Sequence, residues 1–88
     1  MAGQWKERDR PPRLECRYEF PDYEHLRDFL DRAADLSERE DLYPDLGFGR
    51  DYVNVTIYAR EGETALSEEQ RRFAELLDKL QGGTDVDN

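Results

Sequence analysis

Hydrophobic positions in this chain fall into two alternating runs and two helical stripes. From Leu14 to Phe20 the alternation is strict: Leu14, Cys16, Tyr18 and Phe20 point one way and Glu15, Arg17 and Glu19 the other, the pattern of a half-buried strand. Tyr52 to Tyr58 repeats it, with Val53, Val55 and Ile57 inward and Tyr52, Asn54, Thr56 and Tyr58 outward. Leu26, Phe29, Leu30 and Ala33 recur at helical spacing, behind Pro21-Asp22, where Asp22 is a candidate N-cap. That helix is expected to run to about Glu40. Ser67-Glu68-Glu69-Gln70 is a capping box, opening a second helix that buries Phe73, Leu76, Leu77 and Leu80 and ends at Gly82-Gly83. Shorter strands are expected at Gln4–Arg8 and around Leu46 and Phe48. The turns between strands fall at Asp9–Pro12 and Gly49–Asp51.

The predicted order is therefore strand, strand, helix, strand, strand, helix. Each helix has one apolar stripe, so both can pack on one face of a four-stranded antiparallel sheet, an α+β fold. Residues 1–80 are expected to form a single domain and residues 81–88 a flexible acidic tail.

Charge narrows the function. Of 88 residues, 40% are charged and 36% hydrophobic, and the net charge is -9. Nucleic acid is disfavoured, because a phosphate backbone needs clustered Lys and Arg; an anionic membrane surface is disfavoured on the same ground. A core this economical would gain from a second copy, so a homodimer is expected. A lone Cys16 excludes an internal disulfide and fits a reducing cytoplasm. No apolar run reaches membrane-spanning length.

Candidate chemistry is sparse. One histidine, His25, and one cysteine, Cys16, are too few and too far apart for a metal site, and the glycines make no phosphate loop. No cofactor is called for. Glu24, Asp28, Asp31, Asp35 and Glu38 form an acidic stripe opposite the apolar face of the first helix, with Arg27, Arg32 and Arg39 on its flanks. Such a stripe is either a solvated face or a surface for a basic partner. Tyr43, Tyr52 and Tyr58 are candidate aromatic contacts. From residue chemistry alone this is a binding module rather than an enzyme.

Trp5, the Phe20-x-Asp22-Tyr23 start of the helix, Pro44-Asp45, Val53-x-Val55-x-Ile57 and Leu66-Ser67-Glu68, in this order and spacing, resemble the pterin-4a-carbinolamine dehydratase family from Trp5 to Leu80. The resemblance implies a four-stranded sheet with helices on one face and dimers that extend the sheet. It also places three proton-exchanging histidines at positions that here read Leu42, Tyr43 and Arg60, while the intervening Pro44 is kept; an aromatic expected at position 50 is Arg50. Leucine carries no proton, and arginine is not a general base near neutral pH. Losing one positioned acid–base group typically costs roughly 10²–10⁴-fold. The resemblance thus points to the branch without these histidines: non-catalytic Rubisco assembly factors encoded with α-carboxysome components. It implies a cytoplasmic, carboxysome-associated homodimeric chaperone whose partner is the Rubisco large subunit or its oligomers. Two alternatives stay open here: a residual dehydratase using Tyr43, Asp45 and Arg60, and a dimerisation cofactor of a transcription factor.

Overall fold

The computed structural model describes residues 5–82. Six elements follow one another: β1 (Lys6–Asp9), β2 (Pro12–Glu19), α1 (Tyr23–Glu40), β3 (Asp45–Phe48), β4 (Tyr52–Tyr58) and α2 (Glu68–Gly82). The strands form one antiparallel sheet in the order β1-β2-β4-β3. This is the α+β architecture expected from the hydrophobic pattern.

Register explains which residues are buried. Leu14, Cys16 and Tyr18 of β2 lie opposite Ile57, Val55 and Val53 of β4. All six are at most 7% exposed and face the helices. From α1 the core takes Leu26, Phe29, Ala33 and Leu36; from α2 it takes Phe73, Ala74 and Leu77. Leu30, Leu76 and Leu80 pack against this core only half-buried, at its margin. Phe20 leaves the β2 ladder, donates its N–H to the Asp51 carbonyl at 2.8 Å, and rests its ring on Phe29 with centroids 5.3 Å apart.

Both helix starts follow their sequence signals. The Asp22 carboxylate accepts the His25 N–H at 2.9 Å, satisfying an amide that the helix leaves unpaired. At α2, the Gln70 N–H donates to the Ser67 hydroxyl at 3.1 Å and the Gln70 carboxamide oxygen accepts the Ser67 N–H at 3.0 Å. The helix continues through Gly82, so Gln81 and Gly82 are helical rather than part of a tail; the Gln81 side chain donates to the Glu19 carbonyl at 3.4 Å. The rest of the expected tail, 83–88, and Gln4 of the expected first strand lie outside the described residues.

One polar network crosses the layers. Asp78 of α2 accepts the Trp5 indole N–H at 3.1 Å and the Tyr18 hydroxyl on the same carboxylate oxygen. Tyr18 is 2% exposed. Burial, with the adjacent carboxylate, pushes its phenol above the ordinary tyrosine range, so the hydroxyl is a fixed donor. Trp5 also meets the Tyr18 ring edge-on, centroids 6.1 Å apart. Trp5, just ahead of β1, is thereby fastened to α2 and to Tyr18 of β2.

Candidate functional site

The turn between α1 and β3 is built around one backbone conformation. Asp41 caps α1 in the left-handed region at φ 55°, its N–H bonding back to the Ser37 carbonyl. The Leu42 N–H reaches the same carbonyl at 3.1 Å. Two turns of this kind satisfy the carbonyl that a helix end leaves open. The reversal sends the next two side chains to opposite fates: Leu42 is 8% exposed and joins the core, while Tyr43 is 67% exposed. Pro44 then starts the extended chain of β3.

Beside this turn lies a cleft of about 230 Å³. Asp41 to Asp45 form one wall; Thr56, Ile57 and Tyr58 at the end of β4, with Arg60 and Gln70, form the other. Leu42, Tyr43 and Arg60, the three positions where the family resemblance places imidazoles, therefore converge on one site although 18 residues separate the first from the last. The lining holds no imidazole, thiol or amine. His25 stands at the far end of α1, about 24 Å away along the helix axis.

The first turn of α2 fixes the β4 wall. The Gln70 side chain, itself 3% exposed, donates to the Tyr58 carbonyl at 2.6 Å. The Arg60 guanidinium donates to the Glu69 carboxylate at 3.1 Å. The capping-box spacing gives Gln70 only a capping role; its second bond links elements that a linear pattern cannot place together.

The other candidates lie elsewhere. Glu24, Asp28, Asp31, Asp35 and Glu38 are all exposed on α1. Arg32 reaches in from the flank to Asp28 at 3.0 Å, so part of the stripe is neutralised. Tyr52 lies at the opposite end of β4 from Tyr58, half-buried, with the Arg17 guanidinium 4.1 Å from its ring centroid. Gly49 borders that ring so closely that an added Cβ would lie 2.4 Å from it.

A larger hollow, about 460 Å³, opens on the sheet face that the helices leave bare, between Lys6, Arg8, Glu15, Arg17 and Asn54. Its one carboxylate, Glu15, is already held by arginines. Arg13 and Arg8 hold Glu15 at 2.6 and 3.4 Å, and the Arg13 guanidinium foremost keeps that carboxyl below its ordinary value. The smaller cleft differs: no hydrogen bond or ion pair engages the carboxylate of Asp41 or Asp45 among the described residues. The described residues contain no group of His, Cys, Asp and Glu arranged to hold a metal ion. No helix among them is long and apolar enough to cross a membrane.

With this geometry in hand, the family model for pterin 4 alpha carbinolamine dehydratase matches residues 1–80. The chain belongs to the pterin-4a-carbinolamine dehydratase family. Among solved structures, a pterin dehydratase-like protein identified as a RuBisCO assembly factor in the alpha-carboxysome is similar to this dehydratase-family chain at 40% identity. The match covers 90% of both chains with a TM-score of 0.81. A transcriptional coactivator/pterin dehydratase from Brucella melitensis matches at 23% identity over 89% of this chain and 82% of its own, with a TM-score of 0.80. At that identity the second likeness shows the fold alone. Comparison with curated protein sequences gave no match.

Proposed function

We propose that this dehydratase-family chain is a non-catalytic assembly factor for Rubisco, acting as a homodimer in association with the α-carboxysome. The observation that carries the reading is the cleft. Its three family positions hold a core leucine, an exposed tyrosine and an arginine tied to Glu69, none of which exchanges a proton at neutral pH. The 40% identity to an assembly factor over nine-tenths of both chains supports the same reading.

Dimerisation is supported by the contrast between the two sheet edges. The β1 edge is Lys6-Glu7-Arg8-Asp9, all charged and exposed, a pattern that discourages pairing. The β3 edge carries Leu46 and Phe48, which share the helix-facing side with Val55 and Val53 yet remain 39% and 55% exposed, because no helix covers them. An apolar open edge of this kind pairs with a second copy, extending the sheet. The acidic stripe of α1 is the surface offered to the large subunit, where salt-sensitive contacts would let the client be released; Tyr52 and Tyr58, on the sheet face away from the helices, and Tyr43 at the turn are separate aromatic contacts.

The test is co-expression of Rubisco large and small subunits with and without this chain, with assembled holoenzyme measured on native gels. The chain raises the assembled yield, and Asp28→Lys/Asp31→Lys/Asp35→Lys in a folded dimer removes most of the gain. Equal yields with and without the chain, or dehydration of a carbinolamine pterin at enzymatic rates, would overturn the reading.

A further inference from the structure

We propose that the cleft at the end of α1 receives an arginine side chain presented by a partner protein, with Tyr43 and Tyr58 as its aromatic walls and Asp41 and Asp45 as its anions. This deepens the binding reading above and names the chemistry the partner must bring to that site.

Charge decides the sign of the guest. Arg60 is the cation in the lining, and it is held by Glu69 at 3.1 Å. The lining thus carries two carboxylates, Asp41 and Asp45, beside one guanidinium that Glu69 already pairs, leaving two negative charges uncompensated. The carboxylates of Asp41 and Asp45 are uncommitted among the described residues. Farther back on α1, Asp35 and Glu38 are exposed, as is Arg39, so α1 adds a net negative charge to the cleft's own.

Shape and surface decide between cations. Tyr43 and Tyr58 are 67% and 47% exposed in a cleft of about 230 Å³, below the ~300–1,000 Å³ of a typical small-molecule site but enough for one side chain. Exposed rings beside free carboxylates suit a planar, weakly hydrated guanidinium, which stacks on a ring face and donates in a fork to a carboxylate; a strongly hydrated ammonium does this less well. The same strand already shows the pairing. Arg17 sits 4.1 Å from the Tyr52 ring centroid at the other end of β4. The β4 wall is also fixed in advance by the bond from the buried Gln70 side chain, so little ordering is required when a guest enters.

The probe is N-acetyl-arginine methylamide, titrated into the ¹⁵N-labelled full chain, beside its neutral citrulline analogue and the glutamate analogue. Arginine should give saturable shifts confined to residues 41–45 and 56–60, weakening several-fold in high salt, with citrulline and glutamate near zero. Tyr43→Ala and Asp45→Asn should each weaken arginine binding at least about fivefold, and their spectra report directly whether they are folded. Absence of localised shifts, equal shifts from citrulline, stronger ones from glutamate, or an Asp45→Asn variant that binds unchanged would each overturn the proposal. The Rubisco co-expression assay separates this failure from failure of the client reading. No arginine binding with assembly intact defeats the cleft proposal alone. Arginine binding without any effect of the chain on assembly defeats the client reading alone.

Discussion

Replacing Asp78 with alanine should be one of the most damaging polar substitutions in this domain, and its cost can be worked out from two bonds. The Asp78 carboxylate accepts the Trp5 indole N–H at 3.1 Å and the Tyr18 hydroxyl. A hydrogen bond to a charged group contributes roughly 1.5–3 kcal/mol, and a buried donor left without a partner costs roughly 1–3 kcal/mol. Tyr18, at 2% exposure, has no water to turn to, whereas Trp5 and Asp78 are half-buried and partly hydrated. The expected loss for Asp78→Ala is therefore about 2–3 kcal/mol, the orphaned phenol dominating. At roughly 4–8 °C per kcal/mol for a domain of this size, the melting temperature should fall by on the order of 10–20 °C. Tyr18→Phe removes the orphan, so Asp78→Ala in that background should cost about 1 kcal/mol less than in the wild type. Urea unfolding at fixed protein concentration measures both, with Trp5, the chain's one tryptophan, as the fluorescent reporter of this very contact. A single-variant loss under about 0.5 kcal/mol, or strict additivity in the double variant, would refute the network as a stabilising element.

Three further outcomes are expected. Asp41→Gly should leave the melting temperature unchanged or slightly higher, since glycine adopts φ 55° freely, while Asp41→Val should destabilise by about 1–2 kcal/mol. Thermal melts of the two variants check this. The His25 imidazole, 2.7 Å from the Asp22 carboxylate, titrates above its ordinary value, chiefly through that hydrogen bond, as the Asp22 carboxyl titrates below its own. The stability His25 adds is thus full below the unfolded histidine value and fades as pH rises through the raised one; Asp22→Asn should lower the midpoint seen by NMR. Phe48→Lys should shift the chain toward monomer in light scattering without unfolding it, because Phe48 is 55% exposed within one copy.

Much of the fold is legible in the sequence because burial here follows simple periods. Leu14, Cys16, Tyr18 and Val53, Val55, Ile57 alternate and are buried as the period of two requires. Ser67 and Gln70 bond reciprocally as their spacing implies. Lys6–Asp9 has no apolar alternation, and its strand exists through pairing with Pro12–Glu15 of β2. Leu46 and Phe48 show the limit of a one-dimensional pattern: they point to the core side, but how far the helices cover that side is a tertiary fact. The cleft was half legible. The family resemblance marks Leu42, Tyr43 and Arg60, yet the contributions of Asp41 and Gln70 depend on a left-handed residue and on a bond between α2 and β4.

On the non-catalytic reading proposed above, the pair Leu42 and Tyr43 lets the site do without proton transfer while the fold keeps its frame. At 8% exposure, a leucine at position 42 adds apolar contact where an imidazole would bring a polar ring that needs a partner, so the change favours folding. At 67% exposure, a tyrosine at position 43 contributes little to folding and most of its ring to whatever meets the surface. Arg60 cannot serve as a base, but its bond to Glu69 helps lock the end of β4 to α2. On that reading the three residues together make a wall with an exposed aromatic lip. Rigid aromatic surface beside uncommitted charge is what binding hot spots are made of, whereas acid–base catalysis needs a titrating group within reach of the substrate. The cleft has that aromatic surface and charge, and its three family positions bring no imidazole to it.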